Sequence, residues 1–216
     1  MLFRSGDDVW TIALHEAGHA VVADALGQIV RRISCRPGPG SDGNTSIADL
    51  PAHPTADDVD RALTIAMGGR AADEILGSGA NAGAAGDLDI ATGLAIAARR
   101  SLGLRGSLSH LEPKAGRRTL VSDPELMREV EGDLRRALDR ARGIVEERRE
   151  AVDAVARQLV ERQVLSGEAL QQVLAGVRPA GEARDTRSRL RSSKRHERSA
   201  GAAVVPGSGS GLAVRR

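Results

Sequence analysis

Residues 7–26 read DDVWTIALHEAGHAVVADAL and carry the clearest structural signal in the chain. The apolar positions of this stretch recur at helical spacing, it opens with two acids that favour the positive end of a helix, and Gly27 follows as a stop signal. Within it, residues 15–19 read His-Glu-Ala-Gly-His. On a helix, His15 and His19 lie one turn apart on the same face, with Cβ atoms about 5–6 Å apart. The sequence therefore predicts a helix that holds two imidazoles side by side.

Two imidazoles at this spacing are typical of a metal site. Both can direct a ring nitrogen towards one Zn²⁺ at about 2.0–2.1 Å. Glu16 follows His15 by about 100° around the helix, so it flanks such a site and can accept a proton from water as a general base. The pattern predicts a zinc-dependent peptidase centre, with His15 and His19 as metal ligands and Glu16 as the catalytic base.

The third ligand is not fixed by spacing. A catalytic zinc ion usually takes three protein ligands. Position 25, where a third histidine falls in one common arrangement, is alanine, and no glutamate occurs between Glu16 and Glu74. The candidates for the third ligand are Glu74, Asp73, Asp87, Asp89, His53 and His110.

The rest of the chain reads as mainly helical, with one short β-hairpin. Residues 29–35 and 45–48 are expected to be two strands, joined by the turn-forming residues 37–43. Gly68 and Gly69 lie inside a predicted helix, where each costs about 1 kcal/mol against alanine, so they predict a close approach of two backbones. Further helices are expected over residues 55–76, 87–101, 122–148, 151–163 and 166–175.

The composition agrees with a helical core of small side chains. Only Trp10 and Phe3 are aromatic. The single cysteine, Cys35, excludes a disulfide within the chain and a cysteine metal cluster, and it is expected to be a packed strand residue. No run of about 18 apolar residues and no signal-peptide pattern occur, so we expect no transmembrane segment and a cytoplasmic location.

Charge divides the chain into a predicted domain, residues 1–178, and a basic tail, residues 179–216. Residues 1–177 contain 21 Lys+Arg and 26 Asp+Glu, a net charge of −5, whereas residues 178–216 contain 10 and 3, a net charge of +7. Arg, Ser and Gly dominate the tail and no periodicity runs through it, which predicts disorder. Contact with nucleic acid is expected only through this tail.

Three ordered motifs together resemble the peptidase domain of the FtsH family of ATP-dependent zinc proteases, over about residues 9–177. They are His-Glu-Ala-Gly-His-Ala at 15–20, Gly-Gly-Arg at 68–70 with an acidic pair at 73–74, and Gly-Ala-Ala-Gly-Asp-Leu at 83–88. Three motifs in this order are far more specific than one.

The resemblance implies zinc as the cofactor and a polypeptide as the substrate. Residue by residue, it makes Asp87 the third zinc ligand and Glu74 a residue that orients a ligand. The strand pair at 29–35 and 45–48 would offer an edge for pairing with the substrate backbone. Since the family's peptidase domains form hexamers, copies of this chain are expected partners.

The leading hypothesis is a zinc endopeptidase that hydrolyses flexible or unfolded proteins and has no ATPase module of its own. The family joins this domain to membrane helices and an ATPase, but neither Lys114 nor Lys194 ends a Gly-x-x-x-x-Gly-Lys loop. A separate ATPase is therefore an expected partner.

Two alternative functions stay open. One is a regulatory peptidase of the ImmA type, against which the Gly-Gly-Arg segment and Asp87 argue. The other is a catalytically silent zinc-binding interaction module, against which Glu16 argues.

Overall fold

The computed structural model describes residues 6–36, 43–108 and 110–177. The elements are α1 (Gly6–Ala25), β1 (Val30–Ser34), β2 (Asn44–Ile47), α2 (Ala56–Ala66), α3 (Gly68–Leu76), α4 (Ala85–Arg100), α5 (Pro113–Ser122), α6 (Pro124–Glu147), α7 (Arg149–Arg162), β3 (Val164–Ser166) and α8 (Gly167–Gly176), with a 3₁₀ turn at Ala82–Ala84. The predicted mainly helical fold with a small sheet is confirmed. The predicted tail, residues 179–216, lies outside the described residues.

Helix α1 is the centre of the fold and packs against α3, α7 and β1. Its buried face consists largely of small residues, and Ala13, Ala17 and Ala20 are fully buried. A Cβ atom built on Gly18 would lie 2.4 Å from the carbonyl oxygen of Gly68, and one built on Gly68 would lie 2.9 Å from the carbonyl oxygen of Gly18. Helices α1 and α3 therefore touch through their backbones, as the glycine pair predicts.

The helix predicted over residues 55–76 is two helices that meet at Met67. Thr55 caps the first of them: its hydroxyl accepts a hydrogen bond from the backbone N–H of Asp58, and the Asp58 carboxylate accepts one from the backbone N–H of Thr55. The glycine pair, which was expected to interrupt this helix, marks the division, because two weak helix formers after Met67 allow the chain to start a new helix against α1.

The sheet has three antiparallel strands in the order β2-β1-β3. The β1–β2 hairpin was predicted, and within it Ile33 pairs with Thr45. On the other side of β1, Ile33 pairs with Leu165 of β3. Ile33 and Leu165 are buried, so this part of the sheet is fixed to the core. Strand β3 was not predicted, because three residues are too few to show an alternating pattern.

Buried charges hold the C-terminal end of α4 against α6. The side chain of Asp133 on α6 is fully buried, and its Oδ2 accepts a hydrogen bond from Nε of Arg99 at 2.8 Å. Nη1 of Arg105 lies 2.5 Å from Oδ1 of the same carboxylate. Loss of one partner from a buried ion pair is strongly destabilising, so this group fixes the position of α4.

Cys35 is buried directly after β1, where its Sγ lies 3.5 Å from the carbonyl oxygen of Leu159. This agrees with the prediction of a packed residue at the end of a strand. None of the helices in the described part of the chain combines the length and apolar character needed to cross a bilayer.

Candidate metal centre and active site

The structure brings together the three residues predicted as metal ligands. Nε2 of His15 and Nε2 of His19 are 3.1 Å apart. Oδ2 of Asp87 lies 3.1 Å from Nε2 of His15 and 3.4 Å from Nε2 of His19. Asp87 is the third residue of α4 and is not its N-cap. Its carboxylate is directed at the two imidazoles of α1, and the three atoms form a nearly equilateral triangle.

This triangle has the size and chemistry that zinc requires. Ligands at about 2.0–2.1 Å in a tetrahedral arrangement lie about 3.3 Å from one another, which is close to the three distances observed. Two imidazole nitrogens and one carboxylate oxygen are also a donor set that catalytic zinc sites use, with one position left for water. Within the described ranges, no other group of three or more histidines, cysteines and acids converges in this way. Their role as ligands stays a prediction.

Hydrogen bonds on the far side of each ring orient the two histidines. Nδ1 of His15 donates to Oδ2 of Asp73 at 2.8 Å. Nδ1 of His19 donates to the carbonyl oxygen of Ile65 at 2.8 Å. Both acceptors can only accept, so both Nδ1 atoms carry a proton and Nε2 is the nitrogen that each ring turns towards Asp87.

The structure places Glu74, which was predicted to orient a ligand, against two arginines, and that role stays a prediction. The acid that contacts His15 is its neighbour Asp73, which is 1% exposed. Glu74 instead accepts hydrogen bonds from Arg70 at 2.9 Å and from Arg142 of α6 at 2.8 Å. Consecutive residues of a helix point about 100° apart, so α3 directs one acid to α1 and the other to α6. The sequence motif identified the pair but not the member that faces the site.

Gly69 makes room for the first histidine. A Cβ atom at this position would lie 2.4 Å from Nε2 of His15 and 2.5 Å from its Cε1. Any side chain there would push the imidazole out of the triangle. The Gly68-Gly69 pair therefore does two things: the first glycine lets the helix backbones meet, and the second leaves space for the ring.

The side chain of Glu16 faces the β1–β2 hairpin, whereas that of His15 faces α3 and α4. Oε2 of Glu16 accepts a hydrogen bond from Oγ1 of Thr45 on β2 at 2.5 Å. The residue is only 7% exposed, so the carboxylate is almost entirely enclosed between α1 and the hairpin. The sequence predicted Glu16 as the base, but no motif in it marked Thr45 as its partner.

Burial, hydrogen bonds and neighbouring charges shift three pKa values in the site. Burial lowers the pKa of His15, but hydrogen bonds and charge interactions with Asp73 and Asp87 outweigh it and raise the pKa to about 10. Burial raises the pKa of Asp87, and hydrogen bonds from His15 and His19 outweigh it, so this carboxyl has a pKa well below its usual range. Burial raises the pKa of Glu16, partly offset by His19 and by the hydrogen bond from Thr45. A glutamate with a raised pKa is better matched to general base chemistry near neutral pH.

The remaining candidates for the third ligand lie elsewhere. The side chain of His110 is 66% exposed, and its Nδ1 donates to the carbonyl oxygen of Ser101 at 2.9 Å. His53 and Asp89 are exposed. None of these three belongs to the convergent group.

A cleft of about 1550 Å³ lies over the triangle. Its walls include Ile47 of β2, Ile65 of α2 and Ile90 of α4, as well as Glu16 and the three predicted ligands His15, His19 and Asp87. Small-molecule sites usually measure about 300–1000 Å³. The cleft is larger and mixed in polarity, which suits an extended segment of polypeptide.

A His-Glu-x-x-His helix, a third carboxylate donor and an enclosed glutamate beside a large cleft are features of the metallopeptidase class. Comparison with known proteins agrees. The model of peptidase family M41 matches residues 5–173, and the chain belongs to this family.

Several relatives carry the name ATP-dependent zinc metalloprotease FtsH. The protein from Acidothermus cellulolyticus is 34% identical over 215 residues, which cover 91% of this chain and 31% of that protein. The one from Rhodococcus erythropolis is 31% identical over 183 residues, or 76% of this chain and 21% of that protein. FtsH 1 of Symbiobacterium thermophilum is 34% identical over 180 residues, or 77% and 30%. The chain thus spans between about a fifth and a third of the length of these relatives. Family and relatives support a metalloprotease with zinc as its cofactor.

Proposed function

We propose that this chain is a zinc endopeptidase that hydrolyses peptide bonds in flexible or unfolded polypeptides. The observation that carries the proposal is the convergence of His15, His19 and Asp87 within 3.4 Å, next to a buried Glu16 that lines the same large cleft. A purely structural zinc site closes all four positions with protein ligands. Three converging donors beside a glutamate favour a catalytic site.

His15, His19 and Asp87 would hold the ion, and zinc bound there supplies a Lewis acid that polarises a carbonyl group and acidifies water. Glu16 would accept the proton from the water that attacks the peptide carbonyl, and it would later return a proton to the departing amine. Burial raises the pKa of Glu16, so a larger fraction of the side chain is protonated at neutral pH once it has accepted the proton. The hydrogen bonds to Asp73 and to the carbonyl oxygen of Ile65 keep both imidazoles oriented throughout.

The edge of the small sheet would bind the substrate. Strand β2 is the outer strand in the order β2-β1-β3, so within the described part of the chain one of its backbone edges has no strand partner. Thr45 and Ile47 of this strand line the cleft. An extended segment that pairs with β2 would gain backbone hydrogen bonds irrespective of its side chains. Such pairing requires an extended substrate, which favours flexible or unfolded proteins.

Partners and location are part of the proposal. The relatives are named ATP-dependent, and we propose that a separate ATPase would supply unfolding for folded substrates, whereas hydrolysis of flexible segments requires no nucleotide. Assembly into a hexamer and a cytoplasmic location stay predictions.

Metal analysis together with proteolysis tests the proposed function. The protein as purified should contain one zinc per chain and cleave an unfolded protein such as casein without ATP. A chelator should abolish cleavage and added zinc should restore it. One zinc per chain without cleavage would favour the catalytically silent zinc-binding module. A chain that binds no zinc would contradict both the endopeptidase and the zinc-binding module.

A further inference from the structure

The carboxylate of Glu16 is enclosed by residues of the hairpin. Oγ1 of Thr45 lies 2.5 Å from Oε2 of Glu16 and 3.2 Å from the Glu16 backbone carbonyl oxygen. A hydroxyl has one proton to donate, and the shorter contact, to the charged acceptor, is the stronger. The Thr45 hydroxyl therefore donates to the carboxylate and ties one of its oxygens to β2.

The other carboxylate oxygen faces Gly43, directly before β2. A Cβ atom at position 43 would lie 2.5 Å from Oε1 of Glu16, 2.8 Å from its Cγ and 2.8 Å from Cγ2 of Ile12. Gly43 is buried, so a side chain there could not turn into solvent. A side chain at position 43 would therefore displace the Glu16 carboxylate, and glycine leaves its space free.

The sheet fixes the position of Thr45. Thr45 pairs with Ile33 of β1, which in turn pairs with Leu165 of β3. Ile33 and Leu165 are buried, so the strand that carries Thr45 is attached to the core through two neighbours. Glu16, in contrast, reaches its carboxylate through three rotatable bonds, which α1 alone would leave free to change rotamer.

We propose that Thr45 is a positioning residue for Glu16 and that Gly43 keeps open the space in which the carboxylate is held. The proposal rests on the proposed function, because it concerns the catalytic base of that reaction. The hairpin would then orient Glu16 in addition to offering a strand edge to the substrate. It selects the one orientation of Glu16 that suits proton transfer, and a base displaced by about 1 Å can lose about 100-fold in rate.

Steady-state kinetics of Thr45→Val and Thr45→Ser test the proposal. Valine keeps the shape and the strand preference but cannot donate, so kcat on a fluorogenic peptide should fall by about 10- to 100-fold, with KM and zinc content unchanged. Serine retains the hydroxyl and should recover most of kcat. Ser122→Ala, which removes the hydroxyl of an exposed residue of α5 that donates to the carbonyl oxygen of Thr119, is the control and should behave like the wild type. A Thr45→Val enzyme with wild-type kcat would overturn the proposal, and so would a loss that serine does not recover.

A second variant and crystal structures distinguish a failure of this proposal from a failure of the proposed function. Gly43→Ala should displace the Glu16 side chain and lower kcat while zinc stays bound; full activity in this variant would overturn the role of Gly43. Crystal structures of the wild type and Thr45→Val should show one Glu16 rotamer in the former and a changed or split one in the latter. An unchanged rotamer would overturn the proposal even if the wild type cleaves nothing, whereas an inactive wild type with the expected change in rotamer would contradict only the proposed function.

Discussion

Two consecutive residues of α1, His15 and Glu16, belong to two differently built halves of the site. His15 faces α3 and α4, where Asp73 and Asp87 contact its two ring nitrogens at 2.8 and 3.1 Å. Glu16 faces the hairpin, where Thr45 contacts its carboxylate at 2.5 Å. The metal half is made of helices and the base half is made of a short sheet.

This difference implies that, in the proposed function, metal binding and proton transfer depend on separate sets of contacts. In the metal half, helix backbones meet at Gly18 and Gly68, so the ligands are placed by the rigid packing of helices. In the base half, the orientation of one flexible side chain depends on a hydroxyl and a glycine of the hairpin. Changes in the metal half should therefore alter zinc affinity first, and changes in the base half should alter kcat while zinc stays bound.

The largest effect is expected from Asp87→Ala. It removes one of three ligands, so zinc affinity should fall by more than the 10- to 100-fold that loss of an outer hydrogen bond to a ligand costs, and cleavage should disappear with it. Zinc per chain after dialysis and casein cleavage measure the two losses. Asp89→Ala, on the same helix but outside the triangle, should keep both. If Asp87→Ala retained one tightly bound zinc, another acid would be the ligand.

Of these variants, Glu16→Gln should separate cleavage from zinc binding most clearly. Glutamine has the same size and can still accept from Thr45, but it cannot take a proton. Cleavage should fall by about 10²- to 10⁴-fold, while zinc content remains that of the wild type. Substantial cleavage by this variant would exclude Glu16 as the base, and loss of zinc would mean that the two halves are not independent.

Zinc affinity should rise with pH. The pKa of His15 is about 10 in the absence of a metal, so below that pH its Nε2 carries a proton that an incoming ion must displace. Each unit increase in pH should therefore strengthen binding by about tenfold for this one proton, or about 100-fold between pH 6 and pH 8. Competition with a chromophoric chelator at several pH values measures this. Affinity independent of pH over this range would contradict the protonated His15.

The smallest functional effect is expected from Asp73→Ala, which leaves the three ligands in place. Loss of the acceptor for Nδ1 of His15 should weaken zinc binding by about 10- to 100-fold. Glu74→Ala, one residue further along α3, is the matched control. It loses ion pairs with Arg70 and Arg142 and should leave zinc affinity unchanged. A larger loss in Glu74→Ala than in Asp73→Ala would restore the role that the sequence assigned to Glu74.

The sequence predicted the metal half better than the base half, for physical reasons. His15, Glu16 and His19 lie within five residues of one helix, so their relative positions follow from helical geometry alone. Asp87 was one of several candidates for the third ligand, and only a family resemblance selected it, because its distance from α1 depends on how α4 packs.

What the sequence left open depends on tertiary contacts. The choice between Asp73 and Glu74 depends on the rotation of α3 about its axis. That rotation follows from the backbone contact between Gly18 and Gly68, of which the sequence shows only the glycines. Thr45 could not be predicted at all, because the chain must fold back through the hairpin before its hydroxyl meets Glu16. Helix α5 was missed as well, although Pro113 occupies its first turn.

X-ray data collected above and below the zinc absorption edge, from crystals grown with zinc, would locate the metal and identify its ligands. One anomalous peak is expected at about 2.0–2.2 Å from Nε2 of His15, Nε2 of His19 and one carboxylate oxygen of Asp87, with Glu16 outside the coordination sphere and in contact with Thr45. A peak bound by Glu16 or Asp73, or a peak away from Asp87, would contradict the division into a metal half and a base half.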